Sequence, residues 1–142
     1  MLVVVNPNNP TGLKLSPEQL LEWHGRLAQR GGWLVVDEAF MDNTPQQSLA
    51  AHTHKVGLIV LRSFGKFFGL AGVRLGFVLA ERKLLKLLAE QIGPWAVAGP
   101  TRVLGQVCPG SDNAAKRPAS AWKPCWQTMD SPPRAAVRCS NG

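Results

Sequence analysis

The first hundred residues alternate between two spacings of apolar and polar positions. Short continuous apolar runs occur at 2–5 (LVVV), 33–36 (WLVV), 57–61 (GLIVL) and 73–80 (VRLGFVLA). Runs of this length, rich in β-branched residues, suit buried strands. Between the first two lies a segment with helical spacing, in which Leu20, Leu21, Trp23, His24, Leu27 and Ala28 fall on one side. Its start is marked by Ser16 as N-cap, Pro17 at the first helical position and Gln19 completing a capping box. The sequence Arg30-Gly31-Gly32 ends it. A second amphipathic helix is predicted over 81–93 (ERKLLKLLAEQIG), with a glycine stop, and GPTRVLGQ at 99–106 reads as the start of a third.

Strand–helix–strand order predicts parallel pairing with helices on the faces, hence an α/β sheet. In such sheets ligands collect beyond the carboxyl ends of the strands. NPNNPTG at 6–12, DEAF at 37–40 and SFGK at 63–66 each follow a predicted strand. Three polar segments at the same end of three strands mark a candidate site.

The pattern stops after Gln106. Residues 107–142 contain no Leu, Ile or Phe, and they hold all three cysteines and prolines 109, 118, 124, 132 and 133. Such a stretch offers no amphipathic face and reads as a disordered tail. The abruptness of the join also fits a shifted reading frame. The division is therefore 1–106 as an ordered unit and 107–142 as a low-order tail. Cysteines 108, 125 and 139 match no zinc spacing and are read as reduced, with no metal expected.

The net charge of +7 raises the question of a nucleic-acid partner. The charge is scattered, and no basic stretch is interleaved with aromatics, so that partner is not expected. No apolar run approaches the roughly 18 residues of a membrane span. The N-terminus shows no basic region ahead of its apolar run, so the expected location is the cytoplasm.

The chemistry concentrates in SFGKFFGLAGVRLGF at 63–77, where Lys66 and Arg74 stand eight apart among small and apolar residues. Burial by Phe64, Phe67, Phe68 and Leu70 is expected to lower the affinity of Lys66 for its proton and favour a Schiff base. Ser63 and Arg74 are natural ligands of a phosphate. Asp37 follows WLVV directly. A turn cap is the ordinary role for an aspartate there, and a magnesium ligand another. The magnesium reading needs a phosphate loop G-x-x-x-x-G-K-[ST], and the single Gly-Lys pair, Gly65-Lys66, is followed by Phe67. An amine, a phosphate clamp and a strand-end aspartate together describe a site for pyridoxal 5′-phosphate.

In order and spacing, NPNNPTG, VVDEAF (35–40) and SFGKFFGLAGVRLG (63–76) resemble the signature segments of the fold-type I pyridoxal-phosphate enzymes, the class I/II aminotransferase family. The resemblance covers most of 1–106. It implies part of a three-layer αβα large domain with a mostly parallel sheet. It assigns Lys66 as the Schiff-base lysine, Asp37 as partner of the pyridine nitrogen, Asn9 as partner of the cofactor's 3-oxygen, and Ser63 and Arg74 as phosphate ligands. Within the family it points to decarboxylation of L-threonine O-3-phosphate to (R)-1-amino-2-propanol O-2-phosphate, in cobalamin biosynthesis. A histidinol-phosphate-type aminotransferase is the alternative, and a non-catalytic remnant keeping only a phosphate pocket is another. Transaminating members commonly carry Tyr where Phe40 stands, and the chain has no tyrosine. The resemblance further implies a homodimer at least twice this length. This chain is then a truncated, inactive form, lacking the arginine that grips the substrate carboxylate.

Overall fold

The computed structural model describes residues 1–107. Four strands, β1 (Leu2–Val5), β2 (Leu34–Asp37), β3 (Leu58–Ser63) and β4 (Gly76–Leu79), form one sheet in the order β1-β2-β3-β4. Helix α1 (Pro17–Ala28) links β1 to β2, and α2 (Arg82–Ile92) and α3 (Gly99–Val107) follow β4. Apart from Val107, which ends α3, the expected tail lies outside the described residues. Among the described residues no helix is long and apolar enough to cross a membrane.

The expected capping box at the start of α1 is present. The Ser16 hydroxyl accepts the Gln19 N–H at 3.3 Å, and the Gln19 side chain accepts the Ser16 N–H at 3.0 Å. These bonds satisfy two of the amide donors that a helix start leaves without a partner. Leu20 and His24 are buried on the inward side, with Leu21, Trp23 and Leu27 half-buried. Ala28, expected on that side, is exposed at the helix end. The His24 ring meets the Val56 carbonyl at 2.9 Å and so ties the helix to the turn before β3.

Register explains the core. Leu34 pairs with Leu58, Val36 with Val60 and with Val4, and Val60 with Leu79, so these side chains share one face of the sheet. Leu20 of α1 and Leu49 complete a cluster from which solvent is excluded. Burying a side chain of this size stabilises the fold by about 1.5–3 kcal/mol.

Pairing β1–β2 and β2–β3 is parallel, as expected, but β3–β4 is antiparallel. The β2–β3 crossover carries three short 3-10 turns (Met41–Asn43, Pro45–Gln47 and Ala50–His52) in place of an α-helix. The strand expected over 73–80 shrinks to 76–79 because Ala71–Val73 form a further 3-10 turn. No helical crossover separates β3 from β4, so the chain returns beside β3 in the opposite sense.

Candidate active site

The register levels Val5 with Asp37 and Asp37 with Leu61, so the loops after β1, β2 and β3 leave from one edge of the sheet. Antiparallel β4 brings a fourth segment there. Its first residue, Gly76, pairs with Ser63 at the end of β3, and Arg74 lies just before it. A parallel β4 would have started at the opposite edge and taken Arg74 with it. Asn9, Asp37, Ser63, Lys66 and Arg74 therefore all belong to segments at this edge.

Each position has a local cause. The buried Asn6 side chain accepts the Leu15 N–H at 2.9 Å and donates to the Leu15 carbonyl at 3.1 Å. Within that bracket the Asn8 carbonyl accepts the Gly12 N–H at 2.7 Å, and the loop carries Asn9 exposed. Asp37 Oδ1 accepts the Ala39 N–H at 3.0 Å, so this carboxylate also serves as a turn cap. Ser63 Oγ accepts the Gly65 N–H at 2.9 Å, which leaves its own proton for donation. Arg74 is the single non-glycine residue at positive φ (φ 54°, ψ 44°) among the described residues. A side chain in that region costs about 1–2 kcal/mol, and such strain clusters at functional sites.

Lys66 departs from expectation. It is exposed. Phe64, Phe67 and Phe68, expected to bury it, pack instead on one another and on Phe77, with centroid separations of 4.8 Å for Phe64–Phe68, 5.1 Å for Phe64–Phe77 and 5.4 Å for Phe67–Phe68. The chain turns outward between the Phe64 carbonyl and the Leu70 N–H, 3.1 Å apart, and lifts the lysine off that cluster. The Lys66 ammonium lies 5.6 Å from the centroid of the Phe40 ring, within cation–π range.

Phe40, Asn43, Gly65, Lys66 and Phe67 line a hollow of about 330 Å³. Small-molecule sites run from about 300 to 1,000 Å³, so this is at the small end. Lys66 alone of the five sequence-derived site residues lines it. Asn9, Asp37, Ser63 and Arg74 occupy the strand ends and loops around the same edge. Segments at this edge thus carry an amine, a hydroxyl and a guanidinium, the last donating to the Ala71 carbonyl of its own turn at 3.4 Å. Gly65 is confined by Ser63, since a Cβ there would lie 3.2 Å from Ser63 Oγ.

Sequence reasoning missed a charged cluster beside the hollow. Glu38 is fully buried. Its carboxylate accepts from the Leu49 N–H at 2.8 Å, the Ser48 hydroxyl at 2.5 Å and the Arg62 guanidinium at 3.3 Å. The other arm of Arg62 binds Asp42 Oδ1 at 2.5 Å. The sequence offered half a signal: Glu38 directly follows a buried apolar run, and a carboxylate entering a core calls for a cation. That the cation is Arg62 follows from the register that levels Asp37 with Leu61.

A mostly parallel sheet with polar loops gathered at one edge defines an α/β protein with its site at the strand ends. Residues 1–110 match the profile of the aminotransferase class I and II family, and the chain belongs to it. It is 69% identical over 106 residues to the threonine-phosphate decarboxylase of Pseudomonas aeruginosa, covering 75% of this chain and 32% of that protein. Among solved structures it is similar to the L-threonine-O-3-phosphate decarboxylase of Porphyromonas gingivalis (TM-score 0.61, 25% identity, covering 80% of this chain and 34% of that one). It is also similar to the histidinol-phosphate aminotransferase of Sinorhizobium meliloti in complex with pyridoxal-5′-phosphate (TM-score 0.54, 29% identity, 64% and 25% covered). The chain spans about a third of the length of the curated relatives it matches.

Proposed function

We propose that these residues form the cofactor-binding part of a pyridoxal-phosphate enzyme that decarboxylates L-threonine O-3-phosphate. The observation that carries the reading is the single sheet edge shared by Asn9, Asp37, Ser63, Lys66 and Arg74, with the Lys66 amine at a hollow. The residues fit the group: an accessible primary amine, a serine proton still to be donated, a guanidinium on a strained turn, and a strand-end carboxylate with one oxygen already fixed. Lys66 would hold the cofactor covalently, Ser63 and Arg74 its phosphate, Asp37 its pyridine nitrogen and Asn9 its ring oxygen. Once bound, the cofactor supplies an electron sink for the bond broken at the substrate's α-carbon. The Lys66 amine would also be placed to move a proton at the substrate's α-carbon as general acid or base.

The 69% identity to a threonine-phosphate decarboxylase supports decarboxylation. So does Phe40, which offers an apolar ring at the hollow and no hydroxyl. The transaminating alternative draws on the likeness to histidinol-phosphate aminotransferases. At this edge Arg62 is engaged by Glu38 and Asp42, and Arg74 is assigned to the cofactor phosphate. Among the described residues, no further guanidinium on these strand ends is left for a substrate carboxylate. The 142-residue chain is accordingly expected to bind cofactor without turnover. A cytoplasmic homodimer is the assembly proposed for the whole enzyme.

Mixing the chain with pyridoxal phosphate, reducing with borohydride and mapping peptides by mass spectrometry tests the assignment. A pyridoxyl label on Lys66, lost in Lys66→Ala, is expected. A chain that binds phosphate equally well with and without Lys66, and takes no label, is a plain anion pocket. Turnover of threonine phosphate by the chain alone refutes the inactivity claim, and turnover of histidinol phosphate refutes the choice of substrate.

A further inference from the structure

Asp42 sits inside the short segment whose neighbours Phe40 and Asn43 wall the hollow, while Arg62 lies on β3, the strand that leads into Ser63 and Lys66. The two guanidinium arms of Arg62 bind different carboxylates, Glu38 and Asp42, and one arm also reaches Ser48 Oγ at 3.3 Å. This rigid fork holds the wall segment to the strand that leads into the lysine loop, which a point charge on a flexible stem cannot do. The arrangement is costly. It buries two carboxylates against one cation, and the second oxygen of Asp42, whose side chain is 7% exposed, has no hydrogen-bond partner. Incompletely satisfied buried ion clusters are poor devices for stability, and an unpaired buried oxygen calls for another explanation.

We propose that Asp42 and Arg62 are positioning residues. Their ion pair sets the Phe40–Asn43 wall over the Lys66 amine, and so fixes where a carbonyl carbon must sit to react with that amine. The inference rests on the reading of Lys66 as the covalent attachment point. It does not need either residue to touch the ligand.

The test separates covalent reaction from simple anion binding in the full 142-residue chain. Pyridoxine 5′-phosphate, which has no aldehyde, reports binding of the phosphate and ring. The rate of borohydride-fixed pyridoxyl label on Lys66 reports alignment with the amine. In Asp42→Ala and Arg62→Lys the labelling rate is expected to fall about tenfold while affinity for pyridoxine phosphate stays within about twofold, the signature of lost geometry with binding retained. Asp42→Asn keeps the shape and the acceptor oxygen and is expected to fall between these variants and the parent. It serves in their place if circular dichroism shows that either is unfolded. Labelling at the parental rate overturns the proposal, as does a parallel fall in labelling and affinity, which marks a merely structural role. If the parent chain itself takes no label, the cofactor reading fails, and trace acetylation decides the present point. The reactivity of Lys66 relative to Lys55 must then change in Asp42→Ala, and an unchanged ratio overturns the proposal.

Discussion

Gly57 lies at φ 80°, and a Cβ there would sit 2.9 Å from the Gly32 carbonyl oxygen. Two turns, one before β2 and one before β3, meet at that point with no room for a side chain. Gly57→Ala combines a left-handed backbone with a backbone clash, so a loss of about 1–3 kcal/mol is expected in urea unfolding followed by circular dichroism. A change below measurement error would show that the turns can part. At this scale the sequence picked out candidate residues that the fold brings to one sheet edge, and was poor at describing their surroundings. Lys66 was legible because a lysine among glycines and phenylalanines is unusual. Its exposure was not, because nothing local shows that Phe64, Phe68 and Phe77 prefer each other. Glu38 and Arg62, 24 positions apart, become partners through strand register alone.

Helix α1 shows how far local rules reach among the elements. Ser16, Pro17 and Gln19 define its start as read from sequence, because a capping box depends only on neighbours. Ser16→Ala is expected to cost about 1 kcal/mol of unfolding free energy, measured by chemical denaturation. The same cap carries a pH signature. A hydrogen bond from the Ser16 side chain, and secondarily a backbone bond, hold the Glu18 carboxyl below the usual glutamate value, with a small opposing effect of burial. A carboxyl lowered by folding contributes stability that is complete above its unfolded value, and lost as pH falls from that value through the folded one. Thermal unfolding from neutral pH into the acid range should therefore show a smaller acid-induced loss from this region in Ser16→Ala than in the parent. Identical slopes would remove Ser16 as the cause. Strand β4 was less legible. Its apolar run continues back to Val73, but the left-handed Arg74 stops pairing short of it, and a run of apolar residues does not reveal its direction.

Among the described residues, one face of the sheet carries the buried core, although Leu2 and Phe77 at its edges stay exposed, and the other keeps several apolar side chains in solvent. Opposite the core lie Val3 (58% exposed), Val5 and Val78, and Trp95, in the link between α2 and α3, is 90% exposed. Apolar surface on this scale favours association or binding of apolar probes. The isolated chain is expected to enhance the fluorescence of an apolar dye and to sediment with concentration-dependent mass. A dye-silent monomer across the accessible concentration range would contradict this. The mostly parallel α/β class was legible because continuous apolar runs separated by a helix allow few other arrangements. The open face was not, because a strand's own sequence does not say whether both of its sides find a cover in the same chain.

The return of the chain at β4 has one more consequence. Ser63 and Gly76 form a ladder pair, and the lysine and arginine both ride on the single stretch between those two feet. Amine and guanidinium thus travel as a cassette. Their mutual arrangement also leans on neighbours outside the stretch, since the Thr101 hydroxyl of α3 donates to the Val73 carbonyl at 3.0 Å and the Phe77 ring packs on Phe64.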